Sequence, residues 1–289
     1  MSTWKTAFIP YGTKDPVEAL DVLSKCGYDG VEWAFQLHFI SNEDLARTAR
    51  LTREKGMEVS DIMCSQDLVS GTKEQKDQRL ALILEKIPAA SEASIGIVNL
   101  FTGPPEWASA VRMGRDIKER DAWPYVIDAF NQIVEAAEKN RVMITVEAAF
   151  GMLVHDYYTL REFLGNFDSK YLAVNMDPSH LVLYGNDPAL AVRRLGSKIK
   201  HVHVKDVVGK PGTIWQDFMF PMLGEGMVDW KAFFEALCDV GYDGFLSVEF
   251  ESDNFLKNVW KGDWSKAALA SKEQLEALVG LAGPAARKA

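Results

Sequence analysis

From one end to the other, the sequence alternates between short β-branched apolar runs and longer segments of helical periodicity. Strand-like runs are expected at Thr6–Pro10, Gly30–Phe35, Met57–Met63, Ile95–Phe101, Val142–Ala148, Leu172–Asp177, Ile199–Lys205 and Phe245–Phe250. Strands joined through helices run parallel, and a parallel sheet needs helices on its exposed face. Eight such units predict closure into a (β/α)8 TIM barrel, one α/β domain over residues 1–289, with a flexible tail from about 283. An open doubly wound sheet is the alternative, but no Gly-rich turn follows the first strand to support it.

Local signals agree with this alternation. Thr72 with Gln75, and Ser271 with Gln274, have the spacing of a capping box, and Asp187 followed by Pro188 suits a helix start. Gly27-Tyr28-Asp29-Gly30 before the second strand is echoed by Gly241-Tyr242-Asp243-Gly244 before the eighth. Both stand where a helix stops and turns into a strand, so shared loop geometry at the N-terminal face explains the echo. Residues 102–120 and 207–228 are long enough to be loop insertions over the opposite face, as lids often are.

Composition narrows the function classes. Lys and Arg total 32 against 41 Asp and Glu, a net charge of −9, and no basic block interrupts this balance. Such a chain is poorly suited to grip a phosphate backbone, so no nucleic-acid partner is expected. The first residues lack a secretory apolar region, and the longest apolar run, near Ile95–Phe101, is far shorter than a membrane span. Cys26, Cys64 and Cys238 are widely spaced and odd in number, which implies neither a disulfide framework nor a zinc ribbon. A soluble cytoplasmic protein without a membrane partner is expected.

The chemistry concentrates in four consecutive strands. Thr145 and Glu147 share one face of the fifth, Asn175 and Asp177 of the sixth, His201 and His203 of the seventh, and Ser247 and Glu249 of the eighth. Apolar residues alternate with them, suiting one side to the helix shell and the other to the barrel interior. Charged groups at strand ends are costly to bury unless paired or bound to a metal. In a closed barrel Glu147, Asp177, His203 and Glu249 converge at the mouth. Three carboxylates and one imidazole suit a divalent ion, Mn²⁺ first, with Co²⁺, Mg²⁺ or Zn²⁺ as alternatives. A salt bridge with Lys205 is the plain structural reading of any one of them. His180 lies three residues past Asp177 and is expected near the site, whereas His201 lies one layer deeper, in a supporting role. His38 and His155 fall in loops and are as well read as surface residues. Trp33, Trp107, Phe150 and Trp215 lie near strand ends, where aromatic faces can pack against sugar C–H groups or simply fill a lid.

The segments Asn175-Met176-Asp177-Pro178-Ser179-His180-Leu181, His201-Val202-His203-Val204-Lys205-Asp206, Leu223-Gly224-Glu225-Gly226 with Val228-Asp229-Trp230, and Ser247-Val248-Glu249-Phe250-Glu251 resemble the sugar phosphate isomerase/epimerase family. That family belongs to the xylose-isomerase-like barrels, which include ketose 3-epimerases, hydroxypyruvate isomerase and inosose dehydratase. The resemblance implies metal ligation by Glu147, Asp177, His203 and Glu249, with Glu147 and Glu249 also the acid/base pair. Substrate contacts are expected from His180, Lys205, Asp206, Trp107, Phe150 and His155, with Lys205 and Asp206 resembling the dehydratase branch. Ala149 stands where many relatives carry histidine, Leu153 where ketose 3-epimerases carry a second glutamate, and Val207-Val208-Gly209-Lys210 where they carry an arginine.

The implied activity is proton abstraction from a keto-sugar or polyol ketone through a metal-stabilised enediolate. Return of the proton gives an isomerase or epimerase. Loss of a β-substituent gives a lyase, either inosose dehydratase-like or a 3-oxo-glycoside eliminase with a small partner subunit. A homo-oligomer is also compatible. Two other readings are weaker. A barrel of the AP endonuclease kind needs further histidines, whereas strands two to four offer only Glu32, Asp61 and Asn99. A non-catalytic sugar-binding barrel has no use for an intact ligand set.

Overall fold

The computed structural model describes residues 4–104 and 111–282. The chain begins with β1 (Thr6–Phe8), α1 (Pro16–Lys25), β2 (Gly30–Ala34), α2 (Asn42–Glu54), β3 (Glu58–Met63), α3 (Lys73–Glu92), β4 (Ile97–Leu100) and α4 (Glu119–Asn140). It continues through β5 (Met143–Glu147), α5 (Tyr157–Leu164), β6 (Leu172–Met176), α6 (Pro178–Leu183), α7 (Pro188–Leu195) and β7 (Ile199–Val204). A small hairpin of β8 (Val208–Gly209) and β9 (Phe218–Met219) follows, then α8 (Trp230–Asp239), β10 (Leu246–Val248), α9 (Asp253–Asn258) and α10 (Trp264–Leu281).

Eight parallel strands form the sheet in the order β1-β10-β7-β6-β5-β4-β3-β2, a nearly closed TIM barrel with helices around it. At the seam, Asp29 donates its backbone N–H to Thr6 O at 2.9 Å, and its carboxylate accepts from Thr6 N at 2.8 Å. All eight expected strands are present, each slightly shorter than its apolar run. The antiparallel pair β8–β9 is an addition within the expected insertion at 207–228. The expected tail from 283 and most of the other insertion's apex, including Trp107, lie outside the described residues.

Outward side chains of the strands pack on the helices. Ile144 and Val146 of β5 are fully buried, and in the helix layer Phe130 meets Phe163 edge-to-face at 4.8 Å. Trp33 belongs to this layer, not to the mouth: it sits within β2, is fully buried and donates Nε1–H to Thr52 Oγ1 on α2. Strand alternation explains the difference, because Glu32 and Ala34 take the inward positions on either side of it.

The helix ends follow their caps. Thr72 and Gln75 form the expected capping box, and Asp187 caps α7 with Pro188 at its first position. Ser271 does not start a helix. It lies buried within α10, which begins at Trp264 after Asp263, so helical periodicity carries through the apparent cap signal. The two Gly-Tyr-Asp-Gly segments adopt the same turn. Gly27 and Gly241 have φ of 79° and 67°, and Tyr28 and Tyr242 donate their N–H groups to Leu23 O and Leu237 O. Positive φ is inexpensive for glycine, and the buried tyrosine rings then anchor each helix to the barrel floor.

Candidate metal and active site

The inward residues of the strands form one connected polar network in the barrel. Thr145 Oγ1 donates to Asn99 Oδ1 at 3.1 Å, and the amides of Asn99 and Asn175 donate to Glu147 Oε2 at 3.3 and 3.2 Å. His201 Nδ1 lies 3.1 Å from Asn175 Oδ1, and Ser247 Oγ donates to Glu32 Oε2 at 2.7 Å. Buried polar groups are costly without partners, and this network supplies most of them from within the barrel. His201 thus takes the supporting place expected of it.

Above this layer, at the C-terminal ends of β5, β6, β7 and β10, Glu147, Asp177, His203 and Glu249 come together. All four are buried, and their potential ligand atoms lie within 4.8 Å of one another. His203 Nδ1 is 3.2 Å from Glu147 Oε2 and 3.3 Å from Glu249 Oε2, yet it has no hydrogen-bond partner. Asp177 divides its work: Oδ1 caps α6 by accepting from Ser179 N, while buried Oδ2 makes no hydrogen bond and lies 3.1 Å from Lys205 Nζ as an ion pair. His203 Nδ1 and Asp177 Oδ2, without hydrogen-bond partners and gathered with carboxylate oxygens of Glu147 and Glu249, fit a cation between them. Three oxygen ligands and one nitrogen ligand make the set suitable for a divalent metal ion.

The opposite edge of His203 is held by Glu32 of β2. His203 Nε2 is 3.0 and 3.1 Å from the two Glu32 oxygens. Sequence reasoning noted Glu32 only as a carboxylate on an early strand. Its inward parity was readable, but its proximity to His203, from a strand 171 residues away, required the closed barrel.

The charges respond to one another. Burial alone would raise the Glu147 carboxyl and lower the His203 imidazolium. Charge attraction prevails: His203 holds Glu147 well below the usual carboxylate range, and Glu32 first, then Glu147 and Glu249, hold His203 well above the usual histidine range. Burial also opposes ionisation of Glu249, but Lys205 and His203 bring it down to about 2. A metal cation would take over the positive charge that His203 supplies here.

Lys205 lies within the cluster. Its Nζ is 2.5 Å from Glu249 Oε2, 3.1 Å from Asp177 Oδ2, 3.0 Å from Glu251 Oε2 and 3.2 Å from His180 Nε2. The plain salt bridge weighed for Lys205 is therefore present, together with the carboxylate cluster. His180 Nε2 is 3.5 Å from both Glu147 Oε1 and Asp177 Oδ2. His180, Lys205 and Phe150 all line a cavity of about 530 Å³ above the cluster.

Two other expected contacts are placed elsewhere. Asp206 is buried beneath the following loop, accepting from Val207 N and Val228 N on one oxygen and from Gly224 N, Gly226 N and Trp230 Nε1 on the other. Five donors occupy it, so its geometry is that of a loop staple and not of a substrate contact. Gly226 is required by this staple, since a Cβ there would meet Asp206 Oδ1 at 2.0 Å. His155 turns into its own loop, with Nδ1 3.0 Å from Met152 O and its ring 4.9 Å from that of Tyr184, and it does not line the cavity. His38 is not a surface residue: it is buried, accepts from Ala34 N through Nδ1 and places Nε2 3.1 Å from Pro10 O.

Tyr11 and Glu251 were not anticipated. Tyr11 donates its hydroxyl to Glu249 Oε1 at 3.0 Å, from a loop with no periodicity to reveal it. Glu251 shares the parity of Glu249, a signal that was available in the sequence.

A parallel barrel with buried carboxylates and histidine converging at the strand C-termini defines a class of TIM barrels able to bind a divalent metal at the mouth. The chain belongs to the xylose isomerase-like TIM barrel family, whose model matches residues 20–278. It is 27% identical over 172 residues to an inosose dehydratase of Lacticaseibacillus casei, a match covering 56% of each protein. The chain thus spans about half the length of the curated relatives it matches. In fold it is similar to an L-ribulose 3-epimerase (TM-score 0.73, 20% identity, 99% of this chain and 96% of that one). It is also similar to the IolI protein with a bound zinc atom (TM-score 0.74, 16% identity, 96% and 98%). Among the described residues, no helix is long and apolar enough to cross a membrane.

Proposed function

We propose that this protein is a divalent-metal-dependent enzyme that removes a proton from the carbon beside the carbonyl of a keto-sugar or related polyol ketone. The observation that carries the reading is the position of Glu147 and Glu249, both buried, 3.2 and 3.3 Å from His203 Nδ1, and both lining an open cavity. Glu147, Asp177, His203 and Glu249 would hold the ion, with Mn²⁺ the best match to this donor set and Zn²⁺, as in the IolI neighbour, another. The ion would supply positive charge opposite the oxygen on which negative charge develops.

The protein's own groups do the rest. Glu147 and Glu249 are ionised at neutral pH and can each accept a proton, one from each side of a substrate seated between them. His180 and Lys205 face the same space and can hold substrate oxygens, and Phe150 closes one side of it. Return of the proton yields an isomer or epimer.

A second reading, a lyase of the inosose dehydratase or 3-oxo-glycoside eliminase type, is favoured by Leu153 in place of the second epimerase glutamate. The inosose dehydratases among the relatives point the same way. An eliminase would work with a small partner subunit. A cytoplasmic location fits the three free cysteines.

Turnover of ketoses, inososes and 3-oxo-glycosides in D₂O with Mn²⁺, followed by NMR, tests both readings. Solvent deuterium in a product of otherwise unchanged composition identifies an isomerase or epimerase, and loss of water or an aglycone identifies a lyase. Equal turnover after EDTA treatment, with no metal found by elemental analysis, would refute the metal-dependent reading.

A further inference from the structure

The strand order divides the mouth of the barrel into two arcs. On the arc β10-β7-β6-β5, the residues at the strand ends are Glu249, Lys205, Asp177 and Glu147. On the arc β4-β3-β2-β1 they are Phe101, Met63, Ala34 with Phe35, and Phe8, all of which line the cavity. Leu37 after β2, Trp215 in the β8–β9 hairpin and Leu256 in α9 add apolar lining, the last two from above the carboxylate arc. Trp215 is 41% exposed and offers its ring at the rim of the β8–β9 hairpin.

This division bears on what can bind. A simple ketose or cyclic polyol carries a hydroxyl on nearly every carbon, and each loses free energy when it leaves water without a new partner. The carboxylate arc supplies such partners, whereas the strand-end side chains of the apolar arc supply none and Tyr11, beyond β1, already donates its hydroxyl to Glu249. The cavity of about 530 Å³ lies in the range of roughly 300–1,000 Å³ that takes drug-sized ligands. Lys205 is the one cationic side chain among the described residues lining this cavity, and three carboxylates already engage it. A phosphate would meet Glu147, Glu249, Glu251 and Asp253, and among the described residues lining the cavity only Lys205 is a cationic side chain to oppose them.

We propose that the substrate is an unphosphorylated hydroxyketone bearing an apolar ring substituent. Its oxygenated part lies over Glu147, Glu249 and His180, and the ring lies against the arc of Phe8, Phe35, Met63 and Phe101 under Trp215. This rests on the proposed function for the orientation of the oxygenated part, whereas the apolar half is read from the cavity alone.

Calorimetry on the full chain loaded with Mn²⁺ tests it, using methyl and phenyl 3-oxo-β-D-glucopyranosides as probes, and fructose beside fructose 6-phosphate. The phenyl compound should bind at least about tenfold more tightly than the methyl compound, as expected when an aromatic ring leaves water for an apolar wall. Trp215→Asn keeps a residue that tolerates the φ of 69° at this position, and Leu37→Ser removes a second part of the wall. Each should lower the phenyl-to-methyl affinity ratio at least about threefold, a change read as a ratio so that a general loss of binding does not mimic it.

Equal affinities for the two glycosides, or an unchanged ratio in both variants, would overturn the apolar-substituent proposal while leaving the proposed function standing. Tighter binding of fructose 6-phosphate than of fructose would overturn its unphosphorylated part. Binding of neither glycoside to protein shown to hold Mn²⁺ would instead refute the hydroxyketone reading, and with it this proposal.

Discussion

Replacing Glu32 by glutamine isolates the contribution of a residue that touches the proposed metal site only through another side chain. Glu32 is fully buried, accepts from Ser247, and faces His203 Nε2 with both oxygens at 3.0 and 3.1 Å. A carboxylate can only accept there, so Nε2 keeps its proton when a metal displaces the one on Nδ1, and Nδ1 then turns its lone pair toward Glu147, Asp177 and Glu249. Glutamine has nearly the same shape but can present its N–H₂ to Nε2, which allows the other tautomer and removes the negative charge behind the ring. Loss of such a partner typically weakens metal binding about 10–100-fold. That corresponds to about 1.4–2.8 kcal/mol.

The assay is Mn²⁺ titration of metal-free protein by calorimetry, with the ¹⁵N shifts of His203 reporting the tautomer. Glu58→Gln serves as a control, because Glu58 pairs with Lys5 at the surface and is remote from the cluster. A folded Glu32→Gln protein with unchanged Mn²⁺ affinity and unchanged His203 shifts would refute the reasoning.

Three further outcomes are expected. Glu147→Gln and Glu249→Gln should each lower kcat by about 10²–10⁴, measured alongside metal content so that lost ligation is separated from lost proton transfer; near-normal kcat in both metal-loaded variants would place the base elsewhere. Asp206→Asn turns one acceptor oxygen into a donor against at least two backbone or indole N–H groups, and should cost about 3 kcal/mol or more in denaturant unfolding; a loss below 1 kcal/mol would show that the loop is held otherwise. His38 is lowered to about 4 by burial, so the unfolded chain binds its proton first as the pH falls. Stability is therefore complete above the unfolded value of about 6.5, falls by about 3 kcal/mol between there and pH 4, and is flat below for this group. His38→Gln should flatten that part of a stability–pH profile, and an unaltered slope would remove His38 as its source.

Much of this protein could be read without coordinates. Strand and helix periods, and the side on which each residue falls, are local properties of a chain whose side chains alternate along a strand, so the barrel and the inward pairs on β5, β6, β7 and β10 followed from the order of residues. The same parity placed Glu147, Asp177, His203 and Glu249 at one mouth, because a closed barrel leaves successive strand ends nowhere else to point. What local order could not determine was how groups remote in sequence divide their hydrogen bonds.

Asp206 follows the strand of His201 and His203 directly and looked like a substrate contact. It became a staple only because the chain returns 18 to 24 residues later and presents N–H groups to it. Ser271 has the local signature of a cap, but burial of α10 against the barrel outweighs a cap's contribution of about 1 kcal/mol. His38 was equally readable as exposed until the N-terminal loop placed Pro10 O against it. Glu32 met His203, and Tyr11 met Glu249, only when β1 and β2 closed against the far edge of the sheet. Alternation along one strand determines which way a side chain points; closure of the barrel decides what it meets there, because that distance is set by the whole sheet and not by any segment of it.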